Sequence, residues 1–171
     1  MDAIHYSSKS SEWETPRSLF DILNNQYNFS LDPCCTEVNR LCEKFYTKEK
    51  NGLAQSWAGE RVFMNPPYGR GISAWVQKAF EESLHPHTSV VALVPARTDT
   101  KWFHLWCANA PVLFISGRLS FINKTLPSYT EDGSFKKSPA CFPSMLCFFN
   151  CAPGGDCLML GTLASFSCES L

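Results

Sequence analysis

The chain has 171 residues, of which 44% are hydrophobic and 13% aromatic, and it carries a formal net charge of −1 at pH 7. This length and apolar content suffice for one sizeable core but are too small for two ordinary domains. We therefore expect a single domain with its core at about residues 12–164, a flexible N-terminal segment 1–11 and a C-terminal tail 165–171.

Neither the apolar runs nor the cysteines indicate a membrane or secreted protein. No apolar run approaches the length that spans a bilayer, and the start, MDAIHYSSKSSEW, is polar and acidic rather than a basic flank with an apolar centre. The nine cysteines are an odd number without a Cys-x-x-Cys pair, which favours reduced thiols over a disulfide framework. We expect a soluble, intracellular protein with no membrane partner.

Metal binding is not predicted. Cys147, Cys151 and Cys157 have the one metal-like spacing in the sequence, but they lack the two tight pairs typical of a zinc site. The four histidines do not form a ligand cluster either.

Charge is unevenly distributed along the chain. Residues 1–60 hold six Lys or Arg against nine Asp or Glu, whereas residues 61–137 hold nine against five. The overall charge argues weakly against a nucleic-acid partner, since phosphate contacts usually require a basic surplus. The basic middle nevertheless leaves a surface for phosphates, although ordinary surface charge is the simpler explanation.

The first third of the chain predicts a helix, a short strand and a second helix. Thr15 can cap a helix whose first residue is Pro16, and the apolar spacing extends that helix over 16–26. NFSLDP alternates as a strand until Pro33 ends it. The segment CCTEVNRLCEKF predicts a short helix from Thr36.

The rest of the chain alternates strands with helices. RVFMN is a buried strand, ISAWVQKAFEESL has helical spacing, and SVVALVP is a continuous apolar run typical of a central parallel strand. DTKWFHLWCANA predicts a helix capped by Asp99, and PVLFIS a strand. After GRLSFI and a loop at about 122–142, SMLCFFN and CLMLGTL flank the turn APGGD as a hairpin. The pattern predicts an α/β fold, a doubly wound, mostly parallel sheet with an antiparallel C-terminal hairpin.

Polar clusters end three of the predicted strands. They are Asp32-Pro33, Asn65-Pro66-Pro67-Tyr68 and Pro95-Ala96-Arg97. Ligands of such sheets bind at the carboxyl ends of the parallel strands, so we expect the three clusters to share one crevice.

The cluster NPPY carries the chemistry. An exocyclic amino group on a nucleobase is a poor nucleophile because its lone pair is delocalised into the ring. Two acceptors aimed at its N–H bonds, the side-chain oxygen of Asn65 and the backbone carbonyl of Pro66, would favour a pyramidal, reactive nitrogen. Pro66 and Pro67 hold those acceptors in place, and Tyr68 offers a ring for stacking. A proline-stiffened turn without chemistry is the alternative.

The tetrapeptide resembles the signature of amino-group methyltransferases that use S-adenosylmethionine. SEWETP, FSLDPCCTEVNR, MNPPYGRGISAWVQKA, VVALVPARTDTKWFH, GRLSF and FPSML also occur in the order typical of phage-type DNA adenine methyltransferases. The resemblance covers about residues 12–149. It implies a Rossmann-like fold, S-adenosylmethionine as cofactor, double-stranded DNA with an adenine-containing site as partner, and the cytoplasm of a bacterium or phage-infected host as location.

The resemblance also implies which residues hold the cofactor. They are Trp13, Thr15, Pro16, Asp32, Pro33, Asn51 and Asn65. Two features depart from the family pattern. Asp32 is followed by Pro-Cys-Cys instead of a glycine-rich turn, and Asn51 stands where the family usually has Asp, which keeps one acceptor but loses the charge.

Basic residues flank the predicted crevice or lie in the loop that follows. The candidates for DNA contact are Arg70, Arg97, Lys101, Arg118 and Lys124, with Lys136 and Lys137 as weaker ones. Phosphate contacts would position the duplex and loop residues would read base edges.

Two alternative functions stay open at this stage. The same tetrapeptide resembles enzymes that methylate a protein glutamine amide or an amino group in RNA. Asn51 and the missing glycines are also compatible with a catalytically weak nucleic-acid-binding protein.

Overall fold

The computed structural model describes residues 13–121 and 138–151. Its α-helices are α1 (Arg17–Tyr27) and α2 (Ile72–Ser83). Its strands are β1 (Leu31–Asp32), β2 (Lys44–Phe45), β3 (Arg61–Met64), β4 (Ser89–Pro95), β5 (Val112–Phe114), β6 (Ser120–Phe121), β7 (Ser138–Pro139) and β8 (Ser144–Phe149).

Six strands form one mixed sheet in the order β2-β1-β3-β4-β8-β5. The pairs β2–β1, β1–β3 and β3–β4 are parallel, whereas β8 is antiparallel to both β4 and β5. The carboxyl ends of β1, β3 and β4 therefore lie at one edge of the sheet, called the carboxyl edge below. The short strands β6 and β7 pair separately.

Both faces of the sheet are covered, as the continuous apolar run of β4 predicts. Val90, Ala92 and Val94 belong to the core on the side of α2, and Val91 and Leu93 to the core on the side of α1. The alternation follows from the two-residue period of a strand. The prediction of an α/β fold is confirmed, and the six-stranded sheet is mixed.

Helix α1 ends as its sequence suggests but begins differently. Asn28 adopts a left-handed conformation, with φ 48°, and its N–H bonds to the carbonyl of Asn24, which closes the last turn. Pro16 occupies the N-cap position, and no side chain among residues 13–121 and 138–151 caps the helix. The predicted capping by Thr15 is wrong because its hydroxyl is engaged with Asn65 instead.

The predicted short helix from Thr36 is wrong. The segment is a turn in which Asn39 Oδ1 accepts hydrogen bonds from the N–H and the hydroxyl of Thr36, at 2.6 and 2.9 Å. Side chains of this kind compete with helical backbone bonds. The turn leads into β2, a strand that the sequence pattern did not reveal because it has only two residues.

The segment after β4 is helical, but not as predicted. Residues Phe103–Cys107 form a π-helix, and no side chain caps it, so capping by Asp99 is wrong. The hydroxyl of Thr100 donates to the Arg97 carbonyl at 2.7 Å.

The last predicted elements are only partly within the described ranges. β8 corresponds to SMLCFFN, but CLMLGTL, and with it the hairpin, lies outside them, as do the terminal segments 1–11 and 165–171. No helix in the described part of the chain is long and apolar enough to cross a membrane.

Candidate active site

A cleft of about 350 Å³ opens at the carboxyl edge of the sheet, where β1 and β3 end. Its volume is typical of cavities that hold small molecules. The predicted residues that line it are Trp13, Thr15, Asp32, Pro33, Asn51, Asn65, Pro66 and Pro67. Pro16 and Tyr68 are not among its lining residues.

Two of the three polar clusters meet in this cleft, and the third lies outside it. The strand order explains the difference. β1 and β3 are neighbours, so the turns after Asp32 and Met64 face each other. β4 lies on the far side of β3, which separates the cluster Pro95-Ala96-Arg97 from the cleft.

Asn65 follows β3 directly, and its amide has one orientation. Its Nδ2 donates to the backbone carbonyl of Trp13 at 2.6 Å and to Thr15 Oγ1 at 2.9 Å. A backbone carbonyl cannot donate, so the atom that faces Trp13 is the nitrogen. Asn65 Oδ1 is buried and has no hydrogen-bond partner among the described residues. Asn65 therefore contributes an unfilled acceptor to the site.

The segment that orients Asn65 is anchored at both ends. The Trp13 ring makes edge contacts with Phe121 and Phe142, with centroids 5.5 and 5.3 Å apart. Thr15 is buried, and Pro16 after it leads into α1, which buries Leu19, Phe20 and Leu23 against the sheet. Proline also biases the residue before it towards extended backbone.

Asp32 is a buried carboxylate at the end of β1, with 4% of its surface exposed. Its oxygens accept hydrogen bonds from the N–H groups of Cys34 and Leu41, at 3.4 and 3.2 Å. Burial raises the pKa of Asp32 to about 6, although both backbone bonds oppose the change. No Lys or Arg in the described ranges forms a salt bridge with it. A cationic ligand would stabilise its ionised form.

The thiols at the cleft are poor nucleophiles. Cys34 and Cys35 both line it. Burial and then the nearby charge of Asp32 raise the pKa of each well above its ordinary value. Because the thiolate is the reactive form of cysteine, this site does not support thiol chemistry.

Gly52 allows one wall of the cleft to form. A Cβ on Gly52 would lie 2.0 Å from the carbonyl oxygen of Pro33, closer than atoms can approach. Asn51 before it has φ 52°, a left-handed conformation that Asn tolerates better than most residues. The close contact holds Asn51 beside the turn that follows Asp32.

A chain of contacts supports Trp75, which lines the cleft from α2. The Trp75 ring stacks on Trp57 with centroids 6.3 Å apart. Trp57 donates its ring N–H to the Gly52 carbonyl at 3.0 Å and its backbone N–H to the carboxylate of Glu82 at 2.7 Å. Glu82 is itself paired with Lys78. A part-buried ion pair thus lies behind the aromatic wall.

Tyr68 lies beside the cleft in a cluster of four rings. Its hydroxyl donates to the Leu93 carbonyl at 3.3 Å, and its ring makes edge contacts with Phe142 at 5.3 Å and Phe121 at 6.1 Å. Trp13 contacts the same two phenylalanines. Burial raises the pKa of Tyr68 well above its ordinary value, so the hydroxyl stays protonated.

The predicted basic residues lie at the surface. Arg70, Arg97 and Lys101 are exposed, and none forms a salt bridge within the described ranges. Arg118 is exposed between β5 and β6. Lys124, Lys136 and Lys137 lie outside the described residues.

Several lining residues had not been singled out from the sequence. They are Cys34, Cys35, Thr36, Leu41, Thr47, Lys48, Gly52, Phe63 and Trp75. Trp75 had been assigned only to the apolar face of its helix, and Thr47 and Lys48 follow the unrecognised strand β2. The dipeptide Asn51-Gly52 was a usable signal, since glycine often marks a close backbone approach.

The cleft combines features that suit a cationic ligand with a planar group. It has a buried carboxylate that forms no salt bridge with any described Lys or Arg, an aromatic wall and polar side chains, in a volume sufficient for a small molecule. The unfilled acceptor of Asn65 adds a site for an N–H donor. No group of three or more His, Cys, Asp or Glu in the described ranges could hold a metal ion.

Comparison with known proteins yields one family. The sequence profile of the DNA N-6-adenine-methyltransferase (Dam) family matches residues 5–149. The chain is 39% identical to a DNA N-6-adenine-methyltransferase of Escherichia phage T1, over 65% of this chain and 53% of that protein. It is 32% identical to a protein of the same description from Haemophilus phage HP1, over 71% of this chain and 72% of that protein. The match thus spans about half the length of the phage T1 relative.

Proposed function

Because the chain belongs to the DNA N-6-adenine-methyltransferase (Dam) family, we propose that it transfers a methyl group from S-adenosylmethionine to the exocyclic amino group of adenine in DNA. The mixed sheet is covered on both faces, its strands β2, β1, β3 and β4 are parallel, and β8 is antiparallel. This arrangement is compatible with a Rossmann-like methyltransferase fold. The site for this chemistry is the cleft at the carboxyl edge.

One observation carries the proposal for the site, the buried and unfilled acceptor of Asn65. A buried acceptor without a partner costs free energy, so such an atom is expected to meet a donor during function. The adenine amino group is such a donor. Oδ1 of Asn65 would accept one of its N–H bonds and the carbonyl of Pro66 the other, which leaves the nitrogen lone pair free to attack.

The cofactor would occupy the part of the cleft around Asp32. When bound, S-adenosylmethionine supplies an electrophilic methyl group on a positively charged sulfur. Asp32 would hold a cationic portion of the cofactor, and Trp75 and Asn51 are the nearby groups for its planar and polar portions. The raised pKa of Asp32, due to burial, is lowered again by a bound cation.

The residues of the chain then act mainly by positioning. In the transfer, a bond between the methyl carbon and the adenine nitrogen would form while the bond between that carbon and the sulfur breaks, and the sulfur would leave as a neutral thioether. The adenine nitrogen would then release one proton to water, so no basic side chain is required. Asn65 and Pro66 stabilise the positive charge that develops on the nitrogen. Tyr68 would offer a ring face to the adenine once it has left the duplex. Its hydroxyl bond to Leu93 limits ring motion.

Contact with double-stranded DNA would come from the exposed basic residues near the carboxyl edge. Arg70 follows the catalytic tetrapeptide, and Arg97 and Lys101 follow β4. Arg118 and Lys124 are the further candidates of the loop region. These contacts to phosphates would position the duplex without reading its sequence. We place the activity in the cytoplasm of a bacterium or phage-infected host, where such DNA is found.

The acceptor class is tested by offering three substrates in parallel. The protein is incubated with radiolabelled S-adenosylmethionine and, separately, with duplex DNA, folded RNA and a glutamine-containing release factor. We expect label on DNA, recovered as N6-methyladenine after nuclease digestion. Label on RNA or on glutamine would support the alternative acceptors, and no label together with no cofactor binding would support a catalytically weak binding protein.

A further inference from the structure

We propose that Thr15 is a positioning residue for the transfer. Together with the backbone carbonyl of Trp13, its hydroxyl holds the side-chain amide of Asn65 so that only the acceptor oxygen remains for the substrate. This inference rests on the proposed function, and it assigns a role that differs from cofactor binding or helix capping by Thr15.

The side-chain nitrogen of Asn65, Nδ2, carries two hydrogens. It donates hydrogen bonds to two oxygens, Trp13 O at 2.6 Å and Thr15 Oγ1 at 2.9 Å. Its donor capacity is therefore full, while Oδ1 is buried and unfilled within the described ranges. If the amide rotated by half a turn, Oδ1 would face the lone pairs of the Trp13 carbonyl. The Trp13 carbonyl thus prevents the amide from presenting a donor to the adenine amino group, and the Thr15 hydroxyl holds the second hydrogen of Nδ2.

The two oxygens that accept hydrogen bonds from Asn65 lie on a rigid segment. Thr15 is 8% exposed, and Pro16 after it restricts its backbone. Trp13 is fixed by its contacts with Phe121 and Phe142. Segment 13–15 is therefore fixed in place before any substrate binds. Groups that are preorganised in this way stabilise charge in a transition state most efficiently.

Position 65 carries an amide side chain rather than a carboxylate. An ionised Asp there would place a negative oxygen against the lone pairs of the Trp13 carbonyl, whereas the Thr15 hydroxyl could turn to donate to the carboxylate. A protonated Asp would donate to Trp13 and still keep one acceptor. The geometry therefore predicts that Asn65→Asp works better in its protonated form, which a merely structural role of the segment would not require.

Kinetics of Thr15→Val and Thr15→Ser test the inference. Valine matches threonine in shape but lacks the acceptor, and serine keeps the hydroxyl. We expect Thr15→Val to lower kcat about tenfold, because one buried hydrogen bond is lost, with the Kd for S-adenosylmethionine changed by less than about twofold. Thr15→Ser should stay within about threefold of the parent kcat. Parent-like kcat in Thr15→Val, or loss through cofactor affinity alone, would overturn the inference.

The pH profile of Asn65→Asp gives a second kinetic readout. Its activity relative to the parent should rise as the pH falls from about 8 to about 5, as the carboxyl group gains its proton. A ratio that does not change over this range would contradict the proposed role of the Trp13 and Thr15 oxygens.

A readout without catalysis separates this inference from the proposed function. The side-chain NH₂ signals of Asn65, identified by their loss in Asn65→Ala, should exchange with water slowly in the parent and in Thr15→Ser, and about tenfold faster in Thr15→Val. The exposed Asn25 side chain serves as the reference for free exchange. If the parent methylates no DNA, the proposed function fails while this result still stands. Equal exchange in parent and Thr15→Val overturns the inference itself.

Discussion

The backbone carbonyl oxygen of Trp13 accepts a 2.6 Å hydrogen bond from the side-chain nitrogen of Asn65, a residue 52 positions later in the chain. The bond joins the segment before α1 to the turn after β3. The site is therefore built from two parts of the chain that come together only in the folded protein, and the earlier part determines which atom of Asn65 is free.

Gly52→Ala should damage both stability and the cleft. The added Cβ would lie 2.0 Å from the Pro33 carbonyl, and backbone must move to relieve the overlap. We expect the free energy of unfolding to fall by about 2 kcal/mol and cofactor affinity to fall with it. Urea denaturation and calorimetric titration measure the two effects. Gly71→Ala is the matched control, since a Cβ there meets no atom within 4 Å, and its stability should change by less than about 0.5 kcal/mol.

Glu82→Ala should destabilise the chain far more than Glu81→Ala. Glu82 is 6% exposed and accepts hydrogen bonds from Lys78 and from the backbone N–H of Trp57, whereas Glu81 is exposed. Removal of Glu82 leaves both donors without their partner, at a cost of about 3 kcal/mol. Thermal denaturation of the two variants measures the difference. Similar melting temperatures for both would show that the ion pair behind the Trp57–Trp75 stack contributes little.

The cofactor-free protein should gain stability between about pH 7 and pH 5. The folded chain raises the pKa of Asp32 from 3.8 to about 6 through burial, so it binds this proton more tightly than the unfolded chain does. Between pH 7 and pH 5 the fall in pH favours the folded state by about 1 kcal/mol. Glu60 and Glu82 behave oppositely. Burial raises the pKa of each, but bonds to Lys44 and Lys78 outweigh it and lower the pKa, so their stabilisation is lost only below about pH 4.5.

Urea midpoints measured over this pH range test the role of Asp32. The midpoint should rise from pH 7 to pH 5 and fall at lower pH, and saturating S-adenosylmethionine should abolish the rise because a bound cation stabilises the ionised carboxylate. Asp32→Asn should remove the rise, whereas Asp21→Asn, at an exposed carboxylate paired with Arg17, should keep it. A midpoint that falls steadily from pH 7 downwards would contradict the prediction.

Arg97→Gln should weaken DNA binding without an effect on cofactor binding. Arg97 is exposed after β4 and lies outside the cleft. If it contacts one phosphate, the slope of log affinity against log salt should become less steep by about one unit. Lys44→Gln also removes one positive charge, but from β2, where the backbone of Lys44 lies opposite Leu31 of β1. This variant should leave the slope unchanged. Equal slopes for parent and Arg97→Gln would remove this residue from the interface.

Sequence reasoning was most accurate where one local rule decides the structure. The apolar period gives α2 and the buried β4, and the prolines after Asn65 end β3 at the expected point. The meeting of Asp32 with Asn65 also follows from general topology, because parallel neighbours end at the same edge.

The errors arose where a side chain has competing partners. Thr15 can cap a helix, but it bonds to Asn65 instead, and Asn39 turns the chain at Thr36 where a helix was expected. β2 is held by two residues paired with β1, too few for a periodic signal. The supporting role of Trp57 depends on contacts with Trp75, Gly52 and Glu82 that no spacing reveals.

The most direct test of the whole account is single-turnover methylation of duplex DNA by the parent and by Asn65→Ala, with the Kd for S-adenosylmethionine measured in parallel. We predict N6-methyladenine in the DNA product of the parent, a rate about 100-fold to 1,000-fold lower for the variant, and a Kd within about threefold. A variant that transfers methyl groups at the parent rate would contradict the account, since the unfilled Asn65 acceptor would then play no part in catalysis.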